Sequence, residues 1–177
     1  MDAPDFPVFF NKQTTCVIGP GGPIHVPRVS ALVDYEGELG VVIGTRARRV
    51  ARDHALDVVL GFTCVNDVTV RDLQRKEMSV GLGPAKGKDF ATAVGPYLLT
   101  LDEFQDRIDV AGRIDLEMIC RVNGKELSRG NAKSMHYTWP QLIAQASRDA
   151  ELFPGDLIGS GTVGTGCILE LGPENTG

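Results

Sequence analysis

The sequence feature that most constrains the fold is an apolar run headed by two closely spaced glutamates, within residues 33–44. Residues 39–43 are apolar, rich in β-branched side chains and followed by a glycine, which predicts a strand buried on both faces. Because residues two apart in a strand point the same way, Glu36 and Glu38 place both carboxylates on one face. Such a pair requires a cation, a shared proton or exposure to water. The pair is therefore either a solvated strand end or part of a site.

The size and charge of the chain narrow the class of protein. Its 177 residues, 42% hydrophobic and 23% charged, predict a single domain with a sizeable core. No apolar run approaches the roughly 20 residues that span a bilayer, and no signal-peptide pattern opens the chain, so we expect a cytoplasmic protein without a membrane partner. The net charge of −5 without a basic stripe disfavours nucleic-acid binding. Four scattered cysteines indicate neither a zinc site nor a disulfide scaffold.

A second β-prone run, residues 58–67, ends in an Asn-Asp pair. Beyond it, Thr69 and Asp72 have the spacing of a capping box, which predicts a helix over residues 70–78. Asp67 therefore lies where a strand passes into a helix, a place where a rigid scaffold holds functional groups while their tips stay accessible.

The predicted helix and the loop after it carry further polar groups. Arg71 and Gln74 are three positions apart and share a face of the helix. The glycine-rich loop 81–88 ends at Lys88 and can bring its backbone and two lysines close to a ligand. The alternative interpretation is that this helix face and this loop are simply exposed to solvent.

The remaining pattern predicts short β-strands, one hairpin and one further helix. We expect strands at residues 8–10, 15–18, 97–99, 116–122 and 167–171, a hairpin turn at 122–125, and a helix from Thr138. The G-x-G-x-x-G spacing at residues 159–164 precedes apolar β-type residues instead of a helix, so it does not predict a dinucleotide site.

Several blocks, in this order, resemble the fumarylacetoacetate hydrolase family. They are DYEGEL at 34–39, VNDVTVRDLQ at 65–74, GKDF at 87–90, PGD at 154–156 and GT at 161–162. The likeness extends from about Phe10 to Leu171. It implies an α+β, predominantly β fold, a mixed β-roll with a few short helices. It also implies that residues 1–177 form one catalytic domain, truncated at both ends relative to the family.

The resemblance implies a divalent cation held by Glu36, Glu38 and Asp67. In the family the cation is usually Mg²⁺ or Mn²⁺, and Ca²⁺ is a further candidate. Three hard oxygen ligands without a neighbouring His or Cys suit these ions.

The resemblance also assigns side chains to the substrate. It implies that Arg71 and Gln74 face the substrate, that Thr162 helps to bind its carboxylate, and that Lys88 is catalytic. Lys88 would polarise the attacking water or the second carbonyl. The alternatives from the residues themselves are an Arg71 that pairs with Asp72 or another carboxylate, an exposed Gln74, and an ST-turn at Thr162.

The activity implied is hydrolysis of a carbon–carbon bond in a small 2,4-dioxo acid, of the acylpyruvate or fumarylacetoacetate type, by a homodimer. Isomerisation, tautomerisation or decarboxylation of 2-oxo acids at the same site is the alternative, and a non-catalytic binding subunit is a second one. Hydrolytic members carry a water-activating His in an upstream lid that this sequence does not show. His25 is the candidate here, whereas His54 and His136 are expected at the surface or in packing.

Overall fold

The computed structural model describes residues 4–172, in which strands outnumber helices. The strands are β1 Val17–Ile18, β2 Val33–Asp34, β3 Gly37–Ile43, β4 Ala47–Arg48, β5 Val59–Asn66, β6 Thr69–Val70, β7 Thr92–Val94, β8 Glu117–Val122, β9 Lys125–Asn131, β10 Glu151–Leu152 and β11 Leu157–Gly159. The helices are α1 Arg71–Met78, α2 Trp139–Ala146 and α3 Ile168–Leu171, with single 3₁₀ segments at Thr14–Cys16, Arg52–Val58, Leu101–Glu103, Gln105–Arg107 and Ala132–Ser134.

A five-stranded mixed sheet forms the centre, in the order β1-β7-β5-β3-β11. Only β1 and β7 pair in parallel, and the other neighbours are antiparallel. Outside this sheet, β8 and β9 form a hairpin, and β2-β6 and β4-β10 are two-stranded pairs. The predicted α+β, predominantly β fold with a few short helices is confirmed.

Strand β3 is the buried element that the sequence predicts. Val41 and Ile43 are fully buried, and a buried side chain of this type contributes roughly 1.5–3 kcal/mol to stability. A Cβ on Gly40 would lie 2.5 Å from the Val65 side chain, so this position excludes any larger residue. The strand is thus held from both faces, which fixes the position of the glutamates at its start.

The predicted capping box at the start of α1 is wrong. Thr69 lies in β6, where its hydroxyl donates to the Asp67 carbonyl at 2.9 Å, and α1 begins at Arg71 without a side-chain cap. The Asp72 carboxylate instead accepts from the Leu73 backbone N–H at 2.9 Å. Thr69 cannot cap the helix because its hydroxyl belongs to the polar cluster described below.

The strand predicted at residues 167–171 is also wrong, because α3 occupies it. The backbone N–H groups of Ile168 and Leu169 donate to the Asp34 carboxylate at 2.8 and 3.1 Å. This distant carboxylate satisfies the free donors of the first helical turn, a stabilisation that no local pattern reveals. A helix of one turn does therefore follow the glycine spacing at 159–164.

Two other strand predictions fail, whereas the hairpin and the second helix are confirmed. Residues 8–10 form no strand, and of residues 97–99 only Leu99 makes a bridge, to Phe62, while β7 lies just before them. Asn123 and Gly124 both have positive φ, as the tight turn between β8 and β9 requires. Thr138 forms a complete capping box at the start of α2.

All four cysteines are free. No helix within residues 4–172 is long and apolar enough to cross a bilayer.

Candidate active site

Three carboxylates meet where β3 begins and β5 ends. The register pairs Gly37 with Asn66, and the Asp67 backbone N–H donates to the Glu36 carbonyl at 3.1 Å. This places one ligand oxygen from each of Glu36, Glu38 and Asp67 within 4.8 Å of one another, and all three residues are buried. The solvated strand end is therefore ruled out, while the role of the three as metal ligands stays a prediction.

Lys88 lies against two of these carboxylates. Its Nζ donates to Glu36 Oε2 at 2.7 Å, to Asp67 Oδ2 at 2.8 Å and to Thr69 Oγ1 at 2.7 Å. An ammonium has three N–H donors, so these bonds use all of them. The backbone carbonyl of Gly87 accepts from the Val70 N–H at 2.8 Å, which fixes the end of the glycine-rich loop against β6.

Arg71, the first residue of α1, forms an ion pair with Glu36. Its Nη1 donates to Glu36 Oε1 at 2.7 Å and to Gln74 Oε1 at 3.0 Å, and its Nε donates to Asp34 Oδ2 at 2.8 Å. Burial lowers the pKa of Arg71, but the bonds to Asp34 and Glu36 outweigh it, so the pKa is raised. The shared helix face of Arg71 and Gln74 is confirmed, and Arg71 stays charged in this environment.

Asp34 is a residue that the sequence analysis missed. It is buried, and its carboxylate receives both Arg71 and the first two N–H groups of α3. It therefore fixes the orientation of the guanidinium that holds Glu36. Its position two residues before Glu36 was the available signal, since alternating acids at residues 34, 36 and 38 share one face of an extended chain.

Glu38 is the carboxylate whose negative charge is least compensated by cationic side chains. No cationic side chain within residues 4–172 forms an ion pair with Glu38. Its Oε2 also needs a glycine beside it, because a Cβ on Gly159 would lie 2.3 Å from this oxygen. Burial, followed by the negative charges of Asp67 and Glu36, raises the pKa of Glu38 to about 8. Without a further cation, Glu38 binds a proton at neutral pH.

The chemistry of the cluster fits a hard divalent cation. Buried carboxylates outnumber the cationic side chains that contact them: Asp34, Glu36, Glu38 and Asp67 against Lys12, Arg71 and Lys88. The three that converge offer only oxygen, the ligand type that Mg²⁺, Mn²⁺ and Ca²⁺ prefer. An added dication would displace the proton on Glu38 and more than offset the single surplus negative charge.

Lys12 is the second residue that the sequence analysis missed. Its Nζ contacts Asp67 Oδ1 and donates to the Ala91 carbonyl at 3.2 Å. The residue lies 55 positions before Asp67 in a segment without regular structure, so neither spacing nor periodicity indicated the contact.

The side chains of the other predicted residues form no hydrogen bond or ion pair with the three carboxylates within residues 4–172. Thr162 lines a neighbouring cavity of about 230 Å³ and makes no side-chain hydrogen bond to any described residue. His25 is exposed, His54 is exposed and bonded to Asp57 at 3.0 Å, and His136 packs edge-on against Tyr137. Across the described part of the chain, none of the three histidines contacts the carboxylates.

Comparison with known proteins gives consistent matches over nearly the whole chain. The family described as Fumarylacetoacetate (FAA) hydrolase C-terminal matches residues 1–176. A 2,4-didehydro-3-deoxy-L-rhamnonate hydrolase from Sphingomonas sp. is 37% identical over 98% of this chain and 64% of its own. A solved 5-carboxymethyl-2-hydroxymuconate delta-isomerase from Mycobacterium smegmatis has a TM-score of 0.79 at 34% identity, over 94% of this chain and 62% of that one.

A second solved structure, a fumarylacetoacetate hydrolase from Exiguobacterium antarcticum, has a TM-score of 0.76 at 34% identity, over 90% of this chain and 55% of that chain. The chain spans 55% to 64% of the length of the first curated relatives that it matches. The named relatives therefore include both hydrolases and an isomerase, each a longer protein than this chain.

Proposed function

Because this chain belongs to the fumarylacetoacetate hydrolase family, we propose that it is a divalent-metal-dependent enzyme that hydrolyses a carbon–carbon bond in a small 2,4-dioxo acid. The observation that carries the proposal is the buried oxygen cluster of Glu36, Glu38 and Asp67. Buried carboxylates that converge without enough cationic partners require a proton or a cation, and a bound cation would serve a hydrolase or isomerase of 2-oxo acids.

The three acids would hold Mg²⁺ or Mn²⁺, with Ca²⁺ as a further candidate. When bound, the cation supplies Lewis acidity to the keto and carboxylate oxygens of a 2-oxo acid and fixes its orientation. Arg71 and Lys88 each hold a carboxylate oxygen of Glu36, and Lys88 holds one of Asp67 as well. These bonds fix the acids in place before any ligand arrives.

The proposed roles of the remaining residues depend on which of their polar groups can still contact a substrate. Gln74 accepts from Arg71 through Oε1, which leaves its amide nitrogen as a donor to the substrate. Lys88 provides a positive charge beside the oxygen on which negative charge develops, and Thr162 offers a hydroxyl from the adjoining cavity.

The proposed hydrolysis balances with water as the only co-substrate. Water adds to the C4 carbonyl, the bond between C3 and C4 breaks, and its electron pair passes into the 2-oxo acid fragment as an enolate. C3 then takes up a proton, and the other fragment leaves as a carboxylic acid. The water must lose a proton to a base, and within residues 4–172 no histidine contacts the cluster.

A second candidate reaction uses the same site. Isomerisation or tautomerisation of a 2-hydroxy-dienoate, or decarboxylation of a 3-carboxylated 2-oxo acid, passes through the same enolate without a water nucleophile. The 34% identity to a hydroxymuconate isomerase supports this alternative.

Steady-state assays separate these reactions. We expect turnover of acetylpyruvate, oxaloacetate or 5-carboxymethyl-2-hydroxymuconate that requires Mg²⁺ or Mn²⁺ and stops in EDTA. Turnover that persists in EDTA would contradict the hydrolase and both alternatives. Calorimetric binding of Mg²⁺ and oxalate without turnover of any substrate would instead identify a non-catalytic binding subunit.

We also propose that residues 1–177 act as one catalytic domain and associate as a homodimer. Light scattering should give twice the mass of 19.0 kDa, and thermal unfolding should show one cooperative transition. A monomeric mass would reject the dimer and leave the metal site unaffected.

A further inference from the structure

Lys12 retains a hydrogen-bond donor that the cluster does not use. Its Nζ has Asp67 Oδ1 and the Ala91 carbonyl as acceptors, and no third acceptor is found among residues 4–172. Because an ammonium carries three N–H groups, one remains available to a ligand.

The other two cationic groups of the cluster are less available. The Lys88 ammonium has an acceptor for each of its protons, and its side chain is 4% exposed. The Arg71 side chain is 7% exposed and engaged with Asp34, Glu36 and Gln74, whereas that of Lys12 is 16% exposed. An anion that enters from solvent therefore reaches Lys12 first.

The segment around Lys12 is held across the site by contacts independent of Asp67. The Phe10 ring centroid lies 5.5 Å from Lys88 Nζ, and the Gln13 backbone N–H donates to Asp89 Oδ1 at 2.9 Å. These two contacts flank Lys12 along the chain. Its ammonium is thus positioned by the segment itself and does not depend on a single ion pair.

We propose that Lys12 binds the carboxylate of the substrate, an inference that rests on the proposed function. A dication added to the four carboxylates and three cationic side chains leaves one net positive charge, which one substrate carboxylate neutralises. Lys12 is the group that is both positively charged and open to that carboxylate. The competing explanation is that Lys12 has no role in substrate binding and only pairs with Asp67 in the absence of the divalent cation.

Titration calorimetry with Mn²⁺ and then oxalate distinguishes the two explanations. The oxygens of oxalate stand in for the keto and carboxylate oxygens of a 2-oxo acid. In Lys12→Met, we expect the affinity of the Mn²⁺-saturated chain for oxalate to fall about tenfold or more, with Mn²⁺ affinity unchanged or higher. Lys12→Arg should keep oxalate affinity within about threefold, because it keeps the charge.

Lys125→Met is the matched control, since Lys125 is exposed at the start of β9 and the substitution removes the same charge from the chain. Equal oxalate affinities of the Lys12→Met and Lys125→Met variants would overturn the proposal. Failure of the unaltered chain to bind Mn²⁺ would overturn both this inference and the proposed function. The Mn²⁺ titration that tests this uses no variant, so the two failures can be told apart.

A crystal structure of the unaltered chain with Mn²⁺ and oxalate covers the case in which Lys12→Met does not fold. Lys12 Nζ within hydrogen-bond distance of an oxalate oxygen supports the proposal. Nζ bonded only to Asp67 and Ala91, with oxalate elsewhere, rejects it.

Discussion

Two ion-pair groups in this protein each join one arginine to two carboxylates, in opposite surroundings. Arg71 joins Asp34 and Glu36 at the start of α1, and Arg129 joins Glu117 and Glu126 on the β8-β9 hairpin. The Arg71 side chain is 7% exposed, whereas that of Arg129 is 48% exposed. Water and salt screen the second group, so its pairs contribute little. In the first group the loss of one member leaves the remaining buried charges with less compensation. Burial therefore makes the charges of the first group interdependent.

The largest effect should come from Lys88→Met. It removes the cation between Glu36 and Asp67 and leaves buried negative charge uncompensated, which costs about 3–5 kcal/mol of unfolding free energy. Urea denaturation in EDTA measures the loss, and added Mn²⁺ should recover part of it. A loss no larger than that of Arg129→Gln would mean that the two groups do not differ.

The next largest effect is the pH dependence of folding stability that Glu38 causes. Its pKa in the folded chain is raised to about 8 from 4.5, so the folded state holds a proton that the unfolded state has lost. The stabilisation is therefore complete below about pH 4.5 and is lost progressively as pH rises to about 8, which amounts to a few kcal/mol.

Urea denaturation from pH 5 to 8.5 in EDTA measures this loss for Glu38. The variant Glu38→Gln should flatten the profile, keep the fold and abolish Mn²⁺ binding. If Glu38→Gln retains full Mn²⁺ affinity, the carboxylate is not a ligand.

A smaller effect is expected from Asp34→Asn. The change keeps the shape but removes the charge that orients Arg71, with a loss of about 2 kcal/mol. Because Arg71 then bonds more strongly to Glu36, Mn²⁺ affinity should fall about tenfold. Unchanged Mn²⁺ affinity with lowered stability would show that Asp34 serves only to anchor α3.

The smallest effect should come from Arg129→Gln. Its bonds to Glu126 and Glu117 raise the pKa of Arg129, yet its side chain is exposed to water. We expect no change in the urea midpoint beyond experimental error, at low or high salt. A clear destabilisation would show that the hairpin network is cooperative despite its exposure.

Local pattern predicted where the acids and the arginine lie, while their roles came from the resemblance to the family. Strand alternation placed Glu36 and Glu38 on one face, and a strand followed by a helix marked Asp67 and Arg71, although the contacts that join them to one another and to Lys88 are long-range in sequence. Lys12 and Asp34 were missed because their partners lie 55 and 37 residues away in sequence.

The same reason explains the wrong helix boundaries. Thr69 has the right spacing for a cap, but Lys88 competes for its hydroxyl from another loop. Residues 167–171 have β propensity, but Asp34 satisfies the free N–H groups of a helical turn there. In both cases a tertiary hydrogen bond outweighs the local preference.

The carboxylate of Asp34 also sets an order of events during synthesis. It joins Arg71 to the backbone at residues 168 and 169, so one side of the site receives its final hydrogen bonds only after the ribosome has released nearly the whole described chain. A nascent chain stalled before Ile168 would hold the acids without the turn that completes the support of Arg71. The hydrogen bonds that complete the support of Arg71 can therefore form only once residues 168 and 169 have been synthesised.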